Sequence, residues 1–99
     1  MTRHVRIEYR VREDVDLAQL TDQIAAFVAG MRAHHASHDY TSYRDAKDPR
    51  HFVHVGHFDP EAVASLQSQP FFRQFTTELR PLCVHGPEAI QLEAVASTR

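Results

Sequence analysis

Several residue types that mark common protein classes are scarce in this chain of 99 residues. It has one cysteine, Cys83, so no intrachain disulfide can form and a reducing, cytoplasmic location is predicted. Its three glycines, Gly30, Gly56 and Gly86, lie far apart, which excludes a phosphate-binding loop and a dinucleotide fingerprint. No apolar run approaches the ~18 residues that a membrane-spanning helix needs. The sequence therefore predicts neither a nucleotide enzyme nor a membrane protein.

The chain also lacks a large excess of charge of either sign. Eleven Lys and Arg residues face 13 Asp and Glu residues, for a formal net charge of -2. This is not the basic excess of a nucleic-acid-binding domain, so no nucleic-acid partner is expected. With 42% hydrophobic and 24% charged residues, the composition is that of a folded globular chain. A chain of this length predicts a single domain over residues 1–99.

Hydrophobic periodicity predicts four strands and two helical regions. Residues 4–12 alternate between apolar and charged, and Asp16 can cap a helix whose apolar residues recur every three or four positions. Residues 37–45 and 51–58 are predicted to form a hairpin. A helical pair is then predicted at residues 61–67 and 70–79, a turn at 85–87 and a closing strand at 89–96.

This order predicts an α+β fold of the ferredoxin-like, split βαβ type. Its helices would cover one face of a four-stranded antiparallel sheet and leave the other face open. The hairpin would place on that open face either Tyr40, Phe52 and Phe58 or Val53 and Val55. Both sets are too apolar for water, so we expect the chain to form a homodimer.

The chain has eight histidines, three of them on one predicted strand. Alternation places His51 and His57 on one face and His54 on the other, so the three cannot converge on one site. A neutral His54 in a cavity could accept a proton from a phenol or bind a carbonyl oxygen. The alternative is a core or interface histidine that is hydrogen-bonded to a tyrosine of a neighbouring strand.

A second group, His34, His35 and His38, closes the first predicted helix. His34 and His38 have the spacing at which two helical imidazoles can share a zinc ion. No third ligand accompanies them, so a solvated helix end is the favoured interpretation and no metal site is predicted.

Six short segments of the chain are informative together. They are YTSYRD at 40–45, DPRHF at 48–52, DPEA at 59–62, QPFFRQF at 69–75, GPE at 86–88 and LEAV at 92–95. With these segments the chain resembles the antibiotic biosynthesis monooxygenase family, whose fold is the dimeric α/β barrel. The resemblance runs from about residue 5 to residue 95.

The resemblance implies a homodimer in which each protomer has a cavity between its sheet and its helices. It also implies oxidation of an aromatic or quinol-like molecule by O₂, with neither metal nor flavin. Many members carry a tryptophan near the position of His57 or Phe58. Many also carry histidines at the positions of Leu66 and Phe71, and this chain has none of the three.

Two functions are therefore predicted. In the first, the protein is a cofactor-independent monooxygenase in which His54 orients or deprotonates an aromatic substrate. In the second, it is a non-catalytic dimeric module that binds a hydrophobic small molecule, which the missing family residues favour. The expected substrate-binding residues are Tyr9, Tyr43, Phe52, Phe58, Phe72 and Phe75.

Overall fold

The computed structural model describes residues 3–34 and 37–98, with the side chains of residues 37 and 38 outside the description. His35 and the side chain of His38, both named above at the end of the first helix, therefore lie outside it. The strands are β1 (Arg3–Val11), β2 (Ser37–Arg44), β3 (His51–Phe58) and β4 (Cys83–Leu92). The helices are α1 (Leu17–His34), α2 (Pro60–Gln67) and α3 (Pro70–Leu79), with a short 3-10 turn before β4.

The strands form one antiparallel sheet in the order β2-β3-β1-β4. This is the predicted ferredoxin-like α+β fold, with β3 and β1 at its centre. Asp16 caps α1 as expected, because its Oδ1 accepts hydrogen bonds from the backbone N–H groups of Ala18 (3.0 Å) and Gln19 (3.2 Å).

Alternation along β3 decides which face the helices cover. Phe52, His54 and Phe58 are buried, whereas Val53 and Val55 are half-buried on the opposite face. The buried side chains form two clusters beneath the helices, one around Tyr9 and Phe52 and the other around Phe27 and Phe58. His54 therefore lies in the covered layer, between the two apolar clusters.

The last strand differs from the prediction. β4 begins at Cys83 and ends at Leu92, and it includes the predicted turn at residues 85–87. Gly86 has a positive φ of 76°, and the pairing of β1 with β4 shifts register between Glu8 and Arg10. A β-bulge thus absorbs the turn-like sequence without ending the strand.

No helix among residues 3–34 and 37–98 is both long enough and apolar enough to cross a membrane.

Candidate functional site

The candidate site is centred on His54, a polar side chain in the core that is 1% exposed. It projects from β3, which has β1 on one side and β2 on the other. Two tyrosines approach it diagonally from these neighbours: Tyr9 of β1 lies opposite Phe52, and Tyr40 of β2 lies opposite Gly56. Three adjacent strands thus bring one imidazole and two phenols together.

Both ring nitrogens of His54 are hydrogen-bonded. The hydroxyl of Tyr9 lies 2.8 Å from Nε2, and the hydroxyl of Tyr40 lies 2.7 Å from Nδ1. A neutral imidazole has one N–H donor and one acceptor nitrogen, so one phenol donates to the ring and the other accepts from it. We call this arrangement the Tyr9–His54–Tyr40 chain.

Burial keeps all three groups of the chain uncharged at neutral pH. Loss of solvation lowers the pKa of His54 to about 4. The same effect raises the pKa of Tyr9 and that of Tyr40 well above the ordinary value for a phenol. The site is therefore a neutral chain of hydrogen bonds in an apolar environment, where such bonds are stronger than in water.

A cavity of about 460 Å³ lies between the sheet and helices α2 and α3, and the Tyr9–His54–Tyr40 chain forms part of its lining. This volume lies within the range of about 300–1,000 Å³ that small-molecule pockets occupy. Its apolar wall includes side chains from both helices, so the cavity suits a largely apolar ligand with a few oxygen atoms. The apolar lining is formed mainly by Val5, Ile7, Phe27, Phe58, Val63, Leu66, Phe72, Phe75 and Leu79.

The charged residues that line the cavity are all cationic. Arg3 at the start of β1 and Arg80 after α3 contribute guanidinium groups, and no carboxylate is among the lining residues. Among the described residues, neither guanidinium has an ion-pair partner. Electrostatically, the cavity favours a ligand that carries or develops negative charge.

The structure brings five of the seven sequence-predicted site residues to one cavity. Three form the aromatic wall, Phe58, Phe72 and Phe75, and two belong to the hydrogen-bonded chain, Tyr9 and His54. Phe52 is not among the lining residues, because its ring is stacked beneath Tyr9 in the first core cluster. Tyr43 lies opposite Val53 on the open face and is 56% exposed. It therefore does not reach the cavity around His54.

Tyr40 occupies the place that was expected for Tyr43. Tyrosines three positions apart on a strand lie on opposite faces, and only the register with β3 shows which one points inward. In the sequence, Gly56 is the residue that could have indicated an inward-facing Tyr40. A Cβ at Gly56 would lie 2.7 Å from Tyr40 Cδ2, so the absence of a side chain makes room for the phenol ring.

The other two histidines of β3 face away from the cavity, as predicted. His51 lies 3.1 Å from a carboxylate oxygen of Asp45 and 3.4 Å from one of Glu8. His57 lies 2.9 Å from a carboxylate oxygen of Asp39. Within the described part of the chain, no group of three potential metal ligands is assembled.

The depressed pKa of His54 predicts that stability decreases in mild acid. Its ordinary value of 6.5 applies to the unfolded chain, which therefore binds a proton between pH 6.5 and about pH 4 that the native state rejects. The free energy of unfolding should consequently fall by about 3 kcal/mol across this interval as the pH decreases. The titratable groups that face the imidazole, Tyr9 and Tyr40, stay neutral throughout it.

This prediction is checked by denaturant unfolding of the wild type and of His54→Gln at a series of pH values. Glutamine cannot titrate, so the variant should lose this part of the pH dependence and retain the part due to surface groups. Equal slopes for the two proteins would show that His54 is not the titrating group.

The fold of the chain, with a cavity between its sheet and its helices, defines the structural class. The chain has the fold of the antibiotic biosynthesis monooxygenase structures, in agreement with the resemblance seen in the sequence. A crystal structure of an antibiotic biosynthesis monooxygenase superposes with a TM-score of 0.86 at 18% sequence identity, covering 97% of this chain and 100% of that one.

Two further solved structures give the same result. SnoaB, a cofactor-independent oxygenase from Streptomyces nogalater, matches with a TM-score of 0.82 at 18% identity, covering 98% of this chain and 96% of its own. A protein from Pseudomonas aeruginosa matches with a TM-score of 0.79 at 22% identity and 97% coverage of both chains. No family model and no curated protein matches the sequence. At these identities the similarity shows the fold, and function must be argued from the site.

Proposed function

We propose that the protein is a cofactor-independent monooxygenase that oxidises an aromatic or quinol-like small molecule with O₂. The observation that carries this proposal is the cavity of about 460 Å³ with the Tyr9–His54–Tyr40 chain in its lining. Its volume suits a ligand of two rings, and its polar groups are suited to binding a hydroxyl or a carbonyl oxygen. SnoaB, whose fold this chain shares, is a cofactor-independent oxygenase, so the fold is compatible with the proposed reaction.

The chemistry requires an electron-rich substrate that loses a proton. Because both imidazole nitrogens are bonded to phenols, the substrate hydroxyl would give its proton to a tyrosine oxygen, and that tyrosine would pass its own proton to His54. The substrate anion can then reduce O₂ directly. It supplies all four electrons: one oxygen atom is inserted into it, and the other leaves as water with two substrate hydrogens.

Proton uptake by His54 is the costly step. An imidazole with a pKa of about 4 requires about 4 kcal/mol to be protonated at pH 7. The attraction between the imidazolium and the substrate anion offsets part of this cost. The positive charges of Arg3 and Arg80 stabilise the substrate anion but oppose the imidazolium. The largely apolar lining would reduce the contact of the bound anion with water, which strengthens the attractions to it.

The second candidate is a non-catalytic module that binds a hydrophobic small molecule. In its favour, the resemblance seen in the sequence places Leu66 and Phe71 where many members of that family carry histidine. Leu66 is 1% exposed in the core, and Phe71 packs against Phe27. In this case the cavity would bind its ligand without consuming O₂.

An oxygen electrode separates the two candidates. The purified protein is incubated with a panel of one-, two- and three-ring quinols, and O₂ uptake is compared with the autoxidation of each quinol in buffer. The monooxygenase proposal expects uptake above autoxidation for at least one quinol, with a product that gains one oxygen atom from ¹⁸O₂. Binding of the quinols without uptake would favour the module.

We further propose that the protein acts as a homodimer. The sheet face opposite the helices carries half-buried Val53 and Val55 together with exposed Tyr43 (56%), Ile90 (46%) and Leu92 (42%). These apolar side chains flank the ion pair between Arg6 and Glu8 at the centre of the same face. A second copy of this face could cover the apolar side chains. Light scattering at micromolar concentration should give twice the mass of one chain, whereas a monomeric mass would refute the dimer.

A further inference from the structure

The hydrogens of the Tyr9–His54–Tyr40 chain can be counted without knowing the imidazole tautomer. Two phenols and one neutral imidazole supply three hydrogens, and the two contacts at 2.8 Å and 2.7 Å use two of them. If Nδ1 carries the hydrogen, the free O–H belongs to Tyr40; if Nε2 carries it, the free O–H belongs to Tyr9. One phenol is therefore always a donor to a ligand, and the other is always available as an acceptor.

Both ends of the chain contact the same ligand space. Tyr9, Tyr40 and His54 are all lining residues of the cavity, and among the described residues neither phenol has a hydrogen-bond partner other than His54. A ligand in the cavity can thus meet a proton donor at one phenol and a proton acceptor at the other. A shift of the imidazole tautomer exchanges the two roles.

We propose that the Tyr9–His54–Tyr40 chain is a two-ended proton relay that interconverts the keto and enol forms of a carbonyl ligand, without O₂. This activity rests on the same cavity as the proposed function but does not require the oxidation. In the proposed oxidation, the site only accepts a proton from the substrate. In the relay, one phenol removes a proton from the ligand and the other phenol returns a proton to it.

The step is balanced and leaves no ion. A hydrogen on the carbon next to the ligand carbonyl moves as a proton to one phenol oxygen, whose own proton moves to the adjacent imidazole nitrogen. The proton on the other nitrogen moves to the second phenol, which protonates the carbonyl oxygen. The C–H electron pair becomes the C=C bond, and the carbonyl π pair becomes the new O–H bond.

A neutral relay suits this environment better than a single base. Accepting a proton without returning one would leave an imidazolium in a site where burial opposes charge. Concerted transfer at both ends keeps His54 uncharged before and after the reaction. Because the imidazole ends in its other tautomer, the chain is then ready to act in the opposite direction.

Deuterium exchange under argon tests the relay with 2-tetralone, a two-ring ketone with exchangeable hydrogens beside its carbonyl. Proton NMR in D₂O follows the loss of the benzylic signal next to the carbonyl. Wild-type protein should accelerate exchange about 10²-fold over buffer, a typical gain from positioned acids and bases. Exchange no faster than in buffer would overturn the relay.

Three variants each interrupt the relay at a different point. Tyr9→Phe and Tyr40→Phe remove one end each, and His54→Gln keeps a donor and an acceptor but cannot exchange them by proton transfer. Each should lower the exchange rate at least about tenfold. Tyr43→Phe, an exposed tyrosine of the same strand as Tyr40, is the matched control and should retain the wild-type rate. If either cavity tyrosine can be removed without loss, the site acts at one end only and the relay is wrong.

A further measurement uses only the wild-type protein, so its result does not depend on whether the variants fold. Exchange of α-deuterated 2-tetralone is followed in mixtures of H₂O and D₂O. Several protons in flight give a curved dependence of rate on deuterium fraction, whereas a single transferred proton gives a straight line and refutes the relay. Exchange without O₂ uptake by any quinol would uphold the relay and reject the oxygenase. O₂ uptake without exchange would do the reverse.

Discussion

Replacement of His54 by alanine is expected to lower kcat/KM for O₂ uptake at least about 10²-fold, the usual range for loss of a proton-transfer group. The substitution removes the acceptor for the substrate proton and leaves the hydroxyls of Tyr9 and Tyr40 without their shared partner. Neither phenol can replace the imidazole as a base, because burial raises the pKa of both. The measurement is oxygen consumption with the best quinol of the panel.

Two comparisons assign this loss to His54. Tyr43→Phe changes an exposed side chain outside the cavity and should leave the rate within about twofold of wild type. His54→Gln retains hydrogen-bonding capacity between the tyrosines and should fold, yet be about as inactive as His54→Ala. Circular dichroism confirms the fold of each variant. A folded His54→Ala protein with more than a third of the wild-type rate would contradict the assigned role.

Gly86→Ala is expected to destabilise the fold by about 3 kcal/mol. Gly86 has a φ of 76°, a conformation that costs an L-residue about 1–2 kcal/mol. Its new Cβ would also lie 2.5 Å from the carbonyl oxygen of Glu8 and 3.2 Å from Tyr9 Cα, so the backbone of β1 must shift. For a domain of this size, the melting temperature should fall by roughly 15 °C.

Gly30→Ala is the matched control for this prediction. It adds the same methyl group within 2.5 Å of an existing atom, but that atom belongs to the Phe71 ring, which can move. Alanine also favours the helical backbone of α1 over glycine by roughly 0.5–1 kcal/mol. Thermal melts should therefore show a clearly smaller loss for Gly30→Ala, and equal losses would mean that the position of Gly86 in the bulge is not the cause.

The sequence predicted most of the fold because periodicity and capping signals agreed. Strict alternation identified β1, and the Val, Phe and His content of the segment after a turn identified β3. The oxygen of Asp16 marked the start of α1. β4 was placed six residues too late at its start and four residues too late at its end. His85, Gly86 and Pro87 resemble a turn locally, and only pairing with β1 keeps them in a bulged strand.

The sequence predicted which side chains face the cavity when that depended on alternation within one strand. It did not do so when the answer depended on how two strands are aligned. Alternation within β3 separated His54 from His51 and His57 correctly. The choice between Tyr40 and Tyr43 depended on the register of β2 against β3, which the sequence does not encode locally. Phe52 faces the helices as well, but its distance along β3 places it beneath Tyr9 instead of at the cavity wall.

The division of the site between sheet and helices separates its chemistry from its selectivity. The groups that we propose transfer protons all belong to three hydrogen-bonded strands. Helices α2 and α3 contribute side chains such as Val63, Phe72 and Thr76 to the cavity wall. Substitutions on the helices can therefore enlarge, narrow or reshape the pocket while the backbone that aligns Tyr9, His54 and Tyr40 stays fixed. A library of variants substituted only at these helix positions should therefore change which molecules bind in the cavity but not the reaction that we propose for them.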